Sequence, residues 1–315
     1  MTKQEKIETS GFKWWYVVVI LVLLVIFGFL LSGIIFIASL GGGGIDSRSG
    51  NVALIEVKGV IVTDDSVGLS LTDSISSTEL VEQIEKADQD PSISAIVLDI
   101  NSPGGSAVAS SEIGDALKRA EKPTVAWIRD IGTSGAYWVA SATDHIIAHR
   151  ASITGSVGVI ASYLEFGGLL EDHNVTYRRL VAGSMKDIGS PFKEMTEEEQ
   201  EVFQKNLDQI QEFFIDEVKK NRLLKKSELD KISTGVFYIG KDAKDLGLVD
   251  ELGGKYEVIK YLEEQEGIVV EFKEFKEVKS FIDILAESMG DQFFQIGKGI
   301  GNGAVTAHDN NLLLT

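Results

Sequence analysis

Between Trp14 and Leu40 the chain carries no charged residue, and the run "WWYVVVILVLLVIFGFLLSGIIFIASL" leaves few options for what it can fold into. As a helix rising 1.5 Å per residue it measures roughly 40 Å, longer than the roughly 30 Å hydrocarbon core of a bilayer. Residues 14–40 are therefore expected to span a membrane with some tilt. A cleaved signal peptide is the competing assignment, but the apolar run far exceeds a usual signal core and Leu40 spoils an Ala-x-Ala site ending there. Lys3, Lys6 and Lys13 precede the span, whereas the first residues after it offer only Arg48. The positive-inside bias then puts residues 1–13 in the cytoplasm and the remaining chain outside, anchored in the cell membrane by one span. Trp14, Trp15 and Tyr16 fit an aromatic belt at the inner boundary.

After the span, Gly41 to Gly44 and the following "IDSRSG" read as a flexible linker over residues 41–50. A folded domain is expected over 51–275, followed by a C-terminal extension, 276–315, to which no role attaches. The 315 residues are 44% hydrophobic and 25% charged with 4 prolines, enough apolar material for a sizeable core and too little disorder signature for an unfolded chain. Acidic residues outnumber basic ones 48 to 30, a net charge of −18 that repels nucleic acid. There is no cysteine, so disulfides, thiolate nucleophiles and a lipidated cysteine are all excluded.

From Val52 onward, short β-branched runs alternate with helical patterns. "VALIEV", "ISAIVLDI", "PTVAWI" and "DHIIAH" read as strands, with helices around "STELVEQIEKA" and "SSEIGDALKRA". This alternation predicts an α/β fold with a mainly parallel sheet and helices on its faces. Beyond Ser156, "VGVIAS" and "VTYRRL" are expected as two further strands, leading to a long helix from about Thr196. Thr196 and Glu199 form a capping-box pattern, and Phe203, Leu207, Ile210, Phe214 and Val218 make an apolar stripe at helical spacing.

Three glycine-marked turns carry the chemistry. In "DINSPGGSA", Pro103 fixes one backbone angle and Gly104-Gly105 permit conformations closed to other residues, so backbone N–H groups can point into a cleft as an oxyanion hole requires. A plain strand-to-helix turn is the simpler account of the same pattern. In "IRDIGTSGAYWVASA", Ser134 follows a glycine turn and enters an apolar helix, a position that suits a nucleophile but equally suits a helix cap. In "ASITGSVGV", Thr154 and Ser156 stand between glycines, where a hydroxyl could orient a base or merely form a polar bend.

A nucleophilic serine needs a base, and His145, His149, His173 and His308 have no motif around them. That leaves lysine. A lysine with a reference pKa near 10.4 serves as base only if burial or positive charge brings it down toward about 7 to 8, a change of roughly 3 units or about 4 kcal/mol. Lys186 in "VAGSMKDIGSPF" is the best candidate, because small residues precede it, Met185 and Ile188 flank it and Pro191 closes a turn.

Taken in order, "NSPGGS", "TSGAYWVASATDHIIAHRASITGSVGV", "GSMKDIGSPFKEMTEEE" and "TGVFYIGKDAKDLGLVDELGG" resemble the signal peptide peptidase A (SppA) family in its short, single-copy form, over about Val52 to Gly254. The resemblance implies the Clp protease/crotonase fold of repeated β-β-α units and a membrane-bound serine protease with no cofactor. By the same resemblance, Ser134 is the nucleophile, Lys186 the general base, Ser156 the hydroxyl that orients the lysine, and Gly104 and Gly105 the oxyanion loop. It also implies hydrophobic peptide substrates, chiefly remnant signal peptides, and a homo-oligomer with sites near protomer interfaces. One departure is the Gly-Ala after Ser134, where many relatives have Gly-Gly. Two other classes remain open at this point: crotonase-like acyl-CoA chemistry on the same fold, and a non-catalytic membrane scaffold.

Overall fold

In the computed structural model, the described residues are 15–41, 50–64 and 73–275. The N-terminal residues 1–13, most of the expected linker and the extension 276–315, including His308, lie outside them. Helix α1 (Trp15–Gly41) forms over the uncharged run, and its Trp15–Gly33 portion is long and apolar enough to cross a membrane. None of that portion is buried in the protein, as a core helix would be.

The described residues from Gly50 to Phe275 lie within one compact unit. It begins with β1 (Val52–Val62), β2 (Ser74–Ser76), α2 (Ser77–Gln89), β3 (Ala95–Gly105), α3 (Ala107–Arg119), β4 (Thr124–Thr133), α4 (Gly135–Ser141), β5 (His145–Ala148) and β6 (Ile153–Gly155). It continues with α5 (Gly167–Asp172), α6 (Glu197–Arg222), α7 (Lys226–Ile232), β7 (Phe237–Ile239), α8 (Gly240–Asp245), β8 (Glu251–Leu252), α9 (Lys255–Glu266) and β9 (Phe272–Phe275). The sheet runs β2-β1-β3-β4-β5-β8, with β9 also pairing β1 and β6 joining β4 to β7. Every described ladder is parallel except β6 with β7, as the strand-helix alternation predicts.

Side-chain alternation in the strands builds two cores. Ile96, Leu98 and Ile100 of β3 face a cluster with Ile113, Tyr137, Trp138, Phe214 and Val218, whereas Ala95 and Val97 face one with Trp127, Val258 and Leu262. A sheet covered on both faces needs strands that are apolar throughout, which is why these segments read as continuous hydrophobic runs. Trp138 stacks on Phe214 at 4.7 Å between ring centres, so the short helix α4 is clamped between the sheet and α6.

The expected capping box at Thr196 and Glu199 opens α6. Of its apolar stripe, Phe214 and Val218 are buried, while Phe203, Leu207 and Ile210 keep partial exposure. At the other end of α6, Arg222 grips Asp250 through two hydrogen bonds of 2.6 and 2.9 Å and reaches the Gly247 carbonyl at 3.2 Å. Asp250 in turn accepts the Ile146 N–H, so this pair ties α6 to the end of β5. Burial alone would push the Asp250 carboxyl up, but the Arg222 guanidinium more than reverses this and holds it below the usual carboxylate range. Replacing Arg222 by methionine is expected to lower stability by about 3 kcal/mol, the low end for a buried pair because Asp250 keeps some solvent contact. A carboxyl depressed in the folded state contributes its stability above the unfolded carboxylate pKa and loses it as pH falls through the folded value. Urea denaturation in detergent at pH 7 and pH 3 should therefore show a smaller Arg222→Met deficit at the lower pH.

Two expected strands do not form. Residues 157–162 and 175–180 have no ladder partner, and Ile160 and Leu180 are 88% and 94% exposed. The chain leaves the sheet where Ser156 takes φ 53, and β-branched residues make a strand only when a neighbouring edge completes their hydrogen bonds. "NSPGG" differs in the opposite sense. Instead of leaving the sheet as a turn, it stays paired as the end of β3, with register shifts against β1 at Lys58/Val60 and against β4 at Ile100/Ser102.

Candidate active site

Strand β4 ends at Thr133, and the next residue sits in a conformation that few side chains tolerate. Ser134 has φ 53 and ψ −125, and although it occupies the cap position of α4 its side chain makes no capping bond. A backbone this unfavourable costs of order 1–3 kcal/mol and persists only where its surroundings impose it. Here they do. The Ser134 N–H donates to the Gly155 carbonyl at 2.9 Å, and its own carbonyl accepts from Tyr137 and Trp138. Every residue of α4 behind it is buried, and the Tyr137 hydroxyl donates to the Leu248 carbonyl at 2.9 Å. The hydroxyl of Ser134 is left partly exposed and without a partner among the described residues, so it is free to act on something outside the chain.

The glycine loop abuts this serine. Gly104 has φ 99, and a side chain there would stand 2.6 Å from the Gly135 nitrogen and 2.9 Å from the Ser134 Cβ. Gly105 admits no side chain either, because a Cβ would press on the backbone of Ile61, 2.7 Å from its nitrogen. The Ile61 carbonyl accepts the Ser106 N–H, so by the alternation of a parallel ladder Gly105 turns its own N–H away from β1. That N–H lies beside Gly135, whose N–H is the first of α4 and has no intrahelical acceptor. The Gly104 N–H, by contrast, is engaged, donating to the Ser102 hydroxyl at 3.1 Å.

The third turn separates its two hydroxyls. Thr154 is buried and donates to the Gly132 carbonyl at 2.7 Å, which commits it to holding β6 on β4. Ser156 follows Gly155, the acceptor of the Ser134 N–H, and its hydroxyl has no partner among the described residues. Ser134, Gly104, Gly105 and Ser156 are thus brought to one place by β3, β4 and β6.

Lys186 stands apart. It lies on a turn between Gly183 (φ 99) and Gly189 (φ 76), is exposed, and is bonded neither to Ser134 nor to Ser156. The neighbouring Asp187 is taken by Arg179, which also reaches the Ser184 carbonyl. Hydrogen bonding from Arg179 holds the Asp187 carboxyl below its ordinary range, and the Lys186 amine has no carboxylate partner among the described residues.

The histidines are placed elsewhere. His145 pairs in register with Val125 at the start of β4, eight residues before Thr133, or roughly 25 Å along the strand. It stacks on Tyr261 at 3.8 Å, and burial pulls its pKa down despite Asp250 and Glu251 nearby. His149 is exposed and accepts the Ala151 N–H at Nδ1, and His173 ends α5.

Residues 116–269 match the sequence profile of peptidase family S49, a span that contains Ser134, Ser156 and Lys186. A Methanocaldococcus jannaschii protein that bears a protease name is 33% identical over 280 residues, covering 85% of this chain and 88% of that protein. The chain belongs to peptidase family S49. Two further relatives of this S49 peptidase are Protease 4 of Haemophilus influenzae, 30% identical over 68% of this chain, and the chloroplastic serine protease SPPA of Arabidopsis thaliana, 28% identical over 64%. The chain covers 34% and 29% of the lengths of those two proteins. Among solved structures, the 1510-N membrane-bound stomatin-specific protease aligns with a TM-score of 0.49 at 16% identity, over 77% of this chain and 99% of that one. The S49 peptidase is accordingly a serine protease.

Three residues at the site were not picked out from the sequence: Ser102, Thr133 and Gly135. A serine just before Pro-Gly-Gly could have been suspected of bonding the loop backbone two residues on, a common habit of short hydroxyl side chains.

Proposed function

We propose that this S49 peptidase is a membrane-anchored endopeptidase that degrades hydrophobic peptides, chiefly remnant signal peptides, with Ser134 as nucleophile and Lys186 of a neighbouring copy as base. The observation that carries the reading is the strained, uncapped Ser134 set against the Gly104-Gly105 loop, while Lys186 is exposed on its own chain. Docking of a second copy would bury Lys186, and loss of water is what allows a lysine to stay neutral and accept a proton.

In this mechanism the neutral Lys186 amine takes the Ser134 proton as Oγ attacks the scissile carbonyl carbon. The Gly105 and Gly135 N–H groups hold the oxygen that becomes negative. Collapse expels the amine product, which leaves with the proton returned by the Lys186 ammonium, and an acyl-Ser134 ester remains. Water attacks that ester with Lys186 again as base, releasing the acid product and free serine. Ser156, with its uncommitted hydroxyl, positions the amine. Gly104 contributes shape: its N–H is already bonded, and its missing side chain lets the loop close on the serine.

The apolar substrate class is supported by α1, an uncharged helix that would hold the site beside the bilayer where such remnants lie. Hydrolysis of a fluorogenic apolar peptide by the detergent-solubilised protein, with loss on Ser134→Ala, tests the activity. Orientation is tested separately, since a chain without cysteine can be labelled at single introduced ones. In intact cells a membrane-impermeant maleimide is expected to label Ser47→Cys and not Thr2→Cys, and the reverse pattern would place the protease domain in the cytoplasm.

A further inference from the structure

One peptide group in the glycine loop is held at both ends. The Pro103 carbonyl accepts from the Thr133 hydroxyl at 3.1 Å, and the N–H of the same peptide, on Gly104, donates to the Ser102 hydroxyl at 3.1 Å. Ser102 is fully buried and Thr133 nearly so. The Ser102 hydroxyl also donates its single proton to the Gly59 carbonyl at 2.6 Å, so only its lone pairs can face Gly104. Gly59 is in position because β1 bulges there, with φ 79 and the register shift between Lys58 and Val60.

We infer that Ser102 and Thr133 are positioning residues for catalysis: together they lock the orientation of the Pro103–Gly104 peptide and thereby aim the next N–H, that of Gly105, at the oxyanion. The inference rests on the proposed roles of Ser134 and Gly105. Glycine at 104 leaves the loop torsionally soft, and a rotation of the Pro103–Gly104 peptide is the motion that would swing Gly105 away from Ser134. Rotating that peptide would set the Pro103 carbonyl against the lone pairs of Ser102, whose proton is spent on Gly59, and would strip Thr133 of its acceptor. Both losses occur in a buried place where water cannot replace them. Thr133 precedes the nucleophile directly, so a single contact also couples the serine to its oxyanion loop. A donor that is fixed in advance stabilises developing charge without having to reorganise at the moment of reaction.

The test compares kcat, KM and the affinity for a peptide aldehyde, whose tetrahedral adduct with Ser134 places an oxyanion in the hole. In the full-length assembled protein Ser102→Ala is expected to lower kcat by about 10²-fold with KM almost unchanged, and to weaken aldehyde binding by the same factor. Thr133→Val, which removes the hydroxyl at the other end of the peptide, should do likewise, and Thr133→Ser, which keeps it, should recover most of the loss. Thr143→Ala is the control for mere destabilisation, because it removes a buried hydroxyl bonded to Ala140 and His145 at the far end of the sheet. It should lower stability and leave both readouts alone. If assembled Ser102→Ala and Thr133→Val keep wild-type kcat and aldehyde affinity, or if Thr143→Ala loses as much as they do, the positioning role is wrong. If wild type forms no adduct at Ser134, the nucleophile assignment fails first and takes the inference with it. Should Ser102→Ala not fold, the Thr133 pair decides alone.

Discussion

Ser134→Ala and Lys186→Ala proteins, each inactive alone, are expected to recover activity when assembled together. Each single variant should lose at least about 10³-fold in kcat, since nucleophile and base act as a unit. In an oligomer whose contacts run head to tail, a chain with intact Ser134 can meet a neighbour with intact Lys186 even though neither chain has both. With equal amounts and random assembly, roughly a quarter of the sites would be complete. The expectation follows from where Lys186 lies: on an exposed turn with no carboxylate partner, within a stretch that leaves Ile160 and Leu180 almost wholly in solvent. Activity assays on co-expressed, differently tagged chains check it. Inactive singles with no recovery would mean that serine and lysine meet within one chain, and an active Lys186→Ala would mean that another base serves.

The second large effect is expected at Gly104. Alanine there must adopt φ near 99 and bring a methyl to 2.6 Å from the Gly135 nitrogen and 2.9 Å from the Ser134 Cβ, so the loop and the serine have to part. Displacing an oxyanion donor costs about 10²- to 10³-fold in kcat, and Gly104→Ala should fall in that range while the chain still folds, because the clash falls at the C-terminal end of β3 and not among the side chains of the hydrophobic core. Gly114→Ala supplies the contrast. It lies inside α3, its added methyl would rest 3.5 Å from the Ala142 Cβ at ordinary contact distance, and it should stabilise by about 0.5–1 kcal/mol with turnover intact. Steady-state kinetics and thermal unfolding of the two variants side by side would separate crowding at the site from the general effect of replacing glycine. Equal turnover by both would overturn the account of Gly104.

The apolar helix and the parallel α/β class were legible in the sequence, and Ser134, Gly104, Gly105, Ser156 and Lys186 stood out there as candidates, some from pattern and some through the family resemblance. Pattern works there because it reflects local physics. An uncharged run has one solvent that suits it, alternating strand and helix periods admit few topologies, and glycines beside a serine mark backbone that other residues cannot adopt. Other features depended on partners remote in the chain. The segments at 157–162 and 175–180 have strand composition yet find no edge to pair with, and composition cannot report a missing neighbour. "NSPGG" reads as a turn but stays in the sheet, because Ile61 and Gly132 supply ladders on either side. Thr154 and Ser156 were equivalent by pattern, with only the resemblance favouring Ser156, and the Gly132 carbonyl 22 positions earlier separates them by engaging only Thr154. Ser102 and Thr133 acquire a role only when Gly59, 43 residues before Ser102, and Pro103, 30 before Thr133, arrive beside them. The preferences of each segment are local and can be read along the chain. The tertiary structure alone decided which hydroxyls, carbonyls and amides stand within 3 Å of one another, because a hydrogen bond depends on where its two ends meet in space and not on how far apart they lie in the chain.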